Sequence, residues 1–278
     1  MVAASRKVCD AVLSLQHCLG AVQQWMQENG LRLNPDKTQV LRVGGPVDGG
    51  LGNSLMFGGV ALAAKSRVPS LGIHLDLMLT MEMQVALVVR TAFFHLWRIA
   101  RLRPYLDMGA LTTLVLALVI SRLDYCNTLY VGLPLKLMRK LQVVQNANAA
   151  ARLLTGVRKY QHISPTLAML HWLPIRFRID FKVLMLTYKA LNSLGPRYLA
   201  ERLLPTSSTH VTHTSQEVRL RSLTLREARK ERTRNRAFSA VAPRLWNNLP
   251  PESRTAPSLG TFKNQLKTWM YRQAFPSS

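Results

Sequence analysis

TMEMQVALVVRTAFFHLWRIARLR, residues 80–103, is the stretch on which the fold class turns. Val85, Val88, Ala92, Leu96 and Ile99 fall at steps of three and four, which puts them on one stripe of an α-helix, whereas a half-buried strand alternates strictly. Helical spacing then persists to the end of the chain. Leu111 to Ile120 is an apolar run bounded by Asp107 and Arg122, about half of the roughly 20 residues that a membrane span needs, so a buried helix is expected over Leu111 to Leu123. A third helix carries Leu137, Leu141, Val144, Ala151 and Leu154 and stops at Gly156. A fourth carries Ile179, Val183, Leu186 and Ala190, with Phe181, Leu184, Tyr188 and Leu191 beside them, and Gly195-Pro196 ends it because proline cannot continue the hydrogen-bond ladder. Near Ser258 a last helix begins, with Leu259, Phe262, Leu266, Trp269 and Met270 at helical spacing.

Before Thr80 the pattern is mixed. Val12, Leu15, Leu19, Val22 and Met26 form a helical stripe that Gly30 ends. Leu31 and Leu33 alternate with Arg32, Asn34-Pro35-Asp36 supplies a turn, and Gln39 to Val43 resumes an extended pattern, which predicts a β-hairpin. Gly44 to Gly59 reads as a loop around a short strand at Leu55 to Phe57. Leu71, Ile73 and Leu75 alternate with Gly72 and His74 as a strand does. Pro205 to Gln216, rich in Ser, Thr and His, reads as a linker. The expected fold is mainly α with a small α/β remnant, divided into residues 1–79, 80–204 and 205–278.

With 278 residues, 48% of them hydrophobic, the chain can bury a sizeable core. Its 37 Lys+Arg against 14 Asp+Glu give a net charge of +23, which attracts polyanions at long range and makes nucleic acid the leading partner class. A membrane-surface protein would want amphipathic helices with Lys/Arg on one face and Trp/Phe/Leu on the other, and is the competing class. The three cysteines, Cys9, Cys18 and Cys126, include no Cys-x-x-Cys pair and support neither a disulfide framework nor a zinc finger. Met1 to Asp10 has no apolar signal-peptide core. An intracellular site, nucleus or cytoplasm, is expected.

The basic residues crowd toward the second half. Arg219, Arg221, Arg226, Arg229, Lys230, Arg232, Arg234 and Arg236, opposed by Glu227 and Glu231, make the densest run. Guanidinium forks match phosphate oxygens, so this run is the expected backbone-binding patch, although a charge run is also what an ordinary solvated face looks like. Arg90, Arg98, Arg101 and Arg103 on the helix after Thr80 make a rival surface.

Several long phrases carry a resemblance. Gly30-Leu31-Arg32-Leu33-Asn34-Pro35-Asp36-Lys37-Thr38 follows an amphipathic helix containing Trp25. Arg122-Leu123-Asp124-Tyr125-Cys126-Asn127, Gly132-Leu133-Pro134, Leu141-Gln142-Val143-Val144-Gln145-Asn146-Ala147 and Leu170-His171-Trp172-Leu173-Pro174 come next. Ala237-Phe238-Ser239 and Ala242-Pro243-Arg244-Leu245-Trp246-Asn247-Asn248-Leu249-Pro250 close the series. Taken in order over nearly the whole chain, they resemble the carboxy-terminal portion of jockey-like, non-LTR (LINE-type) retrotransposon reverse transcriptases. The resemblance implies a partial palm over 1–79, thumb-like helices over 80–204 and a basic carboxy-terminal module with a terminal helix over 205–278. It also implies that Lys37 lies near an incoming triphosphate; by itself, a lysine in an Asn-Pro-Asp-Lys turn is a solvated turn residue.

Enzymes of that family hold two Mg²⁺ ions through paired aspartates in an aromatic-Ala-Asp-Asp hairpin. This chain has no Asp-Asp: Asp10, Asp36, Asp48, Asp76, Asp107, Asp124 and Asp180 stand singly. No catalytic residue, metal ligand or cofactor is therefore expected, and Asp124 reads as a cap or ion-pair residue. His171, Trp172 and Trp246 read as packing residues, the indole N–H of Trp246 being bonded. The expected function is RNA or DNA binding, mainly through the phosphate backbone, without polymerisation and without a membrane. Two alternatives stand beside it: a helical module that docks a protein through Phe262, Leu266 and Trp269 of the terminal helix, and a non-functional product of a decayed element.

Overall fold

The structure is a computed structural model and describes residues 2–32, 34, 37–43, 54–57, 60–146, 150–157, 161–206, 219–222 and 234–276. These residues are mostly helical, with short strands in two small sheets. Two compact units are formed, Met1–Gln84 and Val85–Ser278.

In the first unit, helix α1 (Val2–Glu28) ends at Asn29-Gly30, where the Leu31 N–H donates back to the Met26 carbonyl at 2.8 Å. Its apolar stripe is poorly covered: Leu15 and Val22 are exposed, as is Trp25, while Leu19 and Met26 are half-buried. Strand β1 (Val40–Leu41) pairs in parallel with Ala64–Lys65 of β3 (Val60–Lys65). On its other side β3 pairs antiparallel with β2 (Ser54–Phe57), giving the order β1-β3-β2. Alternation marks an extended segment but does not choose its neighbour, and two residues are too few to fix a register. Leu33, Pro35 and Asp36 of the expected hairpin turn lie outside the described residues.

Strands β4 (Arg67–Ser70) and β5 (Ile73–Asp76) form a hairpin, with Ser70 opposite Ile73. Leu71, expected within a strand, is in the turn. Its φ of +48° and the +77° of Gly72 supply the two left-handed positions that a two-residue type I′ turn requires, and Leu71 is 86% exposed. Asp76 then organises the connection to the helix that starts at Glu82. Its Oδ1 accepts from the N–H groups of Met78 (3.1 Å) and Thr80 (2.9 Å), and its Oδ2 from the Thr80 hydroxyl and the Met81 N–H, both at 3.0 Å. Burial draws this carboxyl upward, but the four hydrogen bonds to its charged form outweigh burial and hold it below its ordinary value of 3.8. Gln84 ties the same connection to β5 by accepting the His74 N–H at 3.0 Å.

Helix α2 (Glu82–Leu102) buries the whole stripe Val85, Val88, Ala92, Leu96 and Ile99. The run after Asp107 is one rod in three pieces. Helix α3 (Met108–Val115) is capped by the Asp107 carboxylate on the Ala110 N–H at 2.7 Å, Leu116–Ile120 forms a π-helical turn, and α4 (Ser121–Asp124) completes the rod. Leu111, Val115, Val119, Ile120 and Leu123 are buried, as a short internal helix requires. Tyr125 leaves the rod, and a 3₁₀ turn follows at Asn127–Tyr130.

The helix expected from Leu137 to Leu154 is described over α5 (Leu135–Asn146) and α6 (Ala150–Thr155), and residues 147–149 lie outside the described set. After α7 (Ser164–Met169), α8 (Ile175–Leu191) serves as the central pillar, and α9 (Arg197–Ala200) follows it. Against α8 pack α5, α10 (Phe238–Asn247) and α12 (Leu259–Ala274); the single-turn α11 (Pro251–Arg254) leads into α12. Tyr188 stacks on Phe262 with ring centroids 4.4 Å apart and donates its hydroxyl to the Ala256 carbonyl, while Trp246 closes on Phe262 at 5.8 Å. Residues after 205 thus share a core with the helices before it. Phe262 and Leu266, offered by the sequence as docking residues for a protein partner, are fully buried in this core. No helix among the described residues is long and apolar enough to cross a membrane.

Candidate nucleic-acid interface

Lys37 stands in a local turn. Its N–H is directed at Asn34, toward the backbone carbonyl at 3.2 Å and Oδ1 at 3.3 Å, and the Thr38 hydroxyl donates to the same carbonyl at 2.9 Å. The side chain is exposed, and the turn hydrogen bonds involve its backbone alone.

Of the basic run, Arg226, Arg229, Lys230 and Arg232 lie outside the described residues, as does the side chain of Arg234. Arg219 and Arg221 flank Leu220, which bridges to Pro205: the Thr206 N–H donates to the Arg219 carbonyl and the Arg221 N–H to the Leu204 carbonyl, each at 2.8 Å. Leu220 is buried, and Asn247 clamps its backbone, donating to its carbonyl at 2.7 Å and accepting its N–H at 3.0 Å. In extended backbone successive side chains alternate, so burying Leu220 leaves Arg219 and Arg221 both exposed on the opposite side.

Arg236 is different in kind. Its Nε donates to the Val131 carbonyl at 3.0 Å and its Nη2 to the Leu129 carbonyl at 2.9 Å, and its methylenes lie over Gly132. The guanidinium fastens the segment before α10 to the 129–131 backbone.

The most developed cationic surface is on α2, opposite its buried stripe. Arg101 lies over the Trp97 ring with Cζ 3.7 Å from the centroid, and Arg98 lies over Phe94 at 5.5 Å. Phe94, Trp97 and the following Tyr105 are all more than half exposed, and Arg90 shares the face. A guanidinium stacked on a ring keeps its N–H edge for phosphate, and the rings offer flat faces for bases. Burial, then the charges of Arg122 and Arg98, push His95 below its ordinary 6.5, so the arginines supply the cationic charge here at neutral pH. Sequence reasoning found these arginines but not their aromatic partners. The signal was present as Phe94/Arg98 and Trp97/Arg101, each four residues apart on one helical face.

Four described aspartates are held by structural contacts. Asp76 and Asp107 cap backbone, Asp124 is paired with Arg178, and Asp180 lies beside Arg176. Among the described residues no group of three His, Cys, Asp or Glu side chains is placed to hold a metal ion. No protein-family model, curated protein or solved structure matches this chain.

Proposed function

We propose that this chain is a retrotransposon-derived reverse-transcriptase portion that binds nucleic-acid backbone without polymerising. Its arginine–aromatic face on α2 makes the main contact, and Arg219, Arg221 and the basic residues from Arg226 to Arg234 extend it. In this reading residues 1–79 correspond to part of a palm, 80–204 to a thumb and 205–278 to a basic carboxy-terminal module. The observation that carries the binding reading is the pairing of Arg98 with Phe94 and Arg101 with Trp97 on an exposed helix face of a +23 chain. The reverse-transcriptase origin rests on the ordered sequence phrases. Without paired aspartates, the chain incorporates no nucleotide by itself with Mg²⁺ or Mn²⁺. Of the three residues of the protein-docking alternative, Phe262 and Leu266 are internal and Trp269 is half-buried.

Fluorescence anisotropy with a labelled single strand and a labelled duplex tests the binding reading. If about five phosphates are engaged, log K falls against log salt with a slope of about −3.5 on single strands and about −4.5 on duplex. Arg98→Glu with Arg101→Glu flattens the slope more than Arg219→Glu with Arg221→Glu does. Equal losses from both pairs would reduce the interface to diffuse attraction, and no loss from either removes the proposal.

A further inference from the structure

Within the second unit, the backbone from Tyr130 to Leu135, helix α5, the first half of α8 and helix α10 surround a cavity of about 520 Å³. Three arginines are among its lining residues, each from a different helix and each exposed: Arg139 from α5, Arg176 from α8 and Arg244 from α10. Arg139 and Arg244 make no hydrogen bond among the described residues, and Arg176 is paired only loosely, its Nε 4.0 Å from Oδ2 of Asp180. Among the described residues Asp180 is the one carboxylate in the lining. Burial pushes it above its ordinary 3.8, and Arg176 and Arg244 draw it partly back. The apolar lining with accessible surface is Leu135, which is exposed, with the half-buried Met138 and Leu245, while Tyr130, Leu133 and Ile179 are buried behind it; Asn248 adds an amide.

Three like charges around the rim of a concave space repel one another, and a single carboxylate leaves a surplus of about two positive charges. A carboxylate ligand supplies one negative charge, whereas a phosphomonoester supplies about −1.5 to −2 at pH 7 with three strong acceptor oxygens. A bare phosphate would leave most of the cavity empty. The volume falls within the roughly 300–1,000 Å³ of small-molecule sites, and the accessible apolar side chains of Leu135, Met138 and Leu245 call for a largely apolar body attached to the phosphate. Asn248 and Asp180 can meet the polar edge of a base or the hydroxyls of a sugar.

We propose that this cavity binds a nucleoside monophosphate, its phosphate held by Arg139, Arg176 and Arg244 and its nucleoside against Leu135, Met138 and Leu245. The phosphate belongs either to a free nucleotide or to the 5′ end of a strand. The site is separate from the α2 face and stands or falls independently of backbone binding there.

The test is isothermal titration of the full chain with adenosine monophosphate, with adenosine and inorganic phosphate run alongside. The monophosphate binds, adenosine does not, and inorganic phosphate binds at least tenfold more weakly. Arg139→Gln and Arg244→Gln, at exposed positions, keep the melting temperature and each weaken the monophosphate at least tenfold. Asp180→Asn, which removes the one opposing charge, tightens it. Arg98→Glu with Arg101→Glu leaves it unchanged. A 5′-phosphorylated trinucleotide that displaces the monophosphate, where its 5′-hydroxyl twin does not, assigns the site to a strand end; failure of both to displace assigns it to the free nucleotide. Equal affinity for phosphate and monophosphate, indifference to Arg139→Gln and Arg244→Gln, or binding of O-phosphotyrosine in place of the nucleotide overturns the proposal.

Discussion

Arg178 on α8 grips Asp124 at the end of α4 with both arms of its guanidinium, Nε donating to Oδ1 at 2.9 Å and Nη2 to Oδ2. Lys182, one turn further along α8, donates to the Asp124 carbonyl, and Asn127 donates to Oδ1 at 3.3 Å. One residue thereby joins the π-containing rod, the 3₁₀ turn and the central pillar.

Removing that carboxylate leaves the Arg178 guanidinium, with only 18% of its side chain exposed, without its anion. Asp124→Ala lowers stability by about 2 kcal/mol, less than a fully buried pair because Asp124 retains some contact with water. Arg178→Met, which removes the stranded charge as well, costs less. Urea unfolding of the two single variants and the double variant reads this. A double variant as unstable as the sum of the singles means that the pair is not coupled.

Asp76 gives an acid-sensitive step in the first unit. Its folded value is lowered, so the stability that it adds is present above the unfolded value of 3.8 and is lost as pH falls through the folded one. Asp76→Ala costs about 1–2 kcal/mol at pH 7, in the range of a lost cap, and the difference from the parent narrows toward pH 2. Amide exchange at Met78, Thr80 and Met81, whose N–H groups it accepts, rises in the variant. A difference that stays constant with pH contradicts the assignment.

Asp180 has the opposite sign. Its folded value is raised, so the contribution is present in full below 3.8 and is lost as pH rises through the folded value; at neutral pH the ionised carboxylate opposes folding. Asp180→Asn accordingly melts higher than the parent at pH 7 and no higher at pH 3. Loss of its contact with Arg176 takes little away, since 84% of the Arg176 side chain is exposed. A variant that melts lower at pH 7 shows that the Arg176 and Arg244 attractions dominate burial.

Arg236 and Gly132 form one joint. Gly132 has φ +66°, and a Cβ there would stand 2.9 Å from Cγ of Arg236. Gly132→Ala costs about 1 kcal/mol or more from the left-handed backbone alone. Arg236→Ala costs about 1–3 kcal/mol by leaving the Leu129 and Val131 carbonyls without their donor. It leaves the salt slope of nucleic-acid binding unaltered, because this guanidinium is engaged by the protein itself. A flattened slope in Arg236→Ala would return the residue to the binding surface.

The helices were legible where a period repeats often enough to average out accidents. Val85 to Ile99 and Phe262 to Met270 are buried as their spacing requires. Strand β3, Val-Ala-Leu-Ala-Ala-Lys, shows only Leu62 buried, and β4 contains Pro69, so neither carries an alternation that could be read locally. The irregular phrases offered no chemistry in sequence because their partners are remote. Gln142 accepts the Ile175 N–H, 33 residues away, and donates to Gln145, which donates to the Leu173 carbonyl. Arg236 reaches 105 residues back to Val131. These side chains fasten helix ends and turns, a role set by satisfying buried backbone groups and invisible to any window of neighbouring residues. The three arginines of the cavity are likewise scattered over α5, α8 and α10 and converge only in the fold.

The π turn at Leu116–Ile120 changes what this rod can tolerate in chain length. There the Ser121 N–H reaches back five residues to Leu116, so the turn holds one residue more than an α turn. Deleting that extra residue restores an ordinary helix without unwinding either flank, whereas a deletion inside α3 or α4 rotates every later side chain by about 100° out of its seat, as 3.6 residues per turn dictates. The turn is a length buffer, a place where a rod fixed at both ends by Asp107 and Asp124 absorbs a one-residue difference between copies of the sequence.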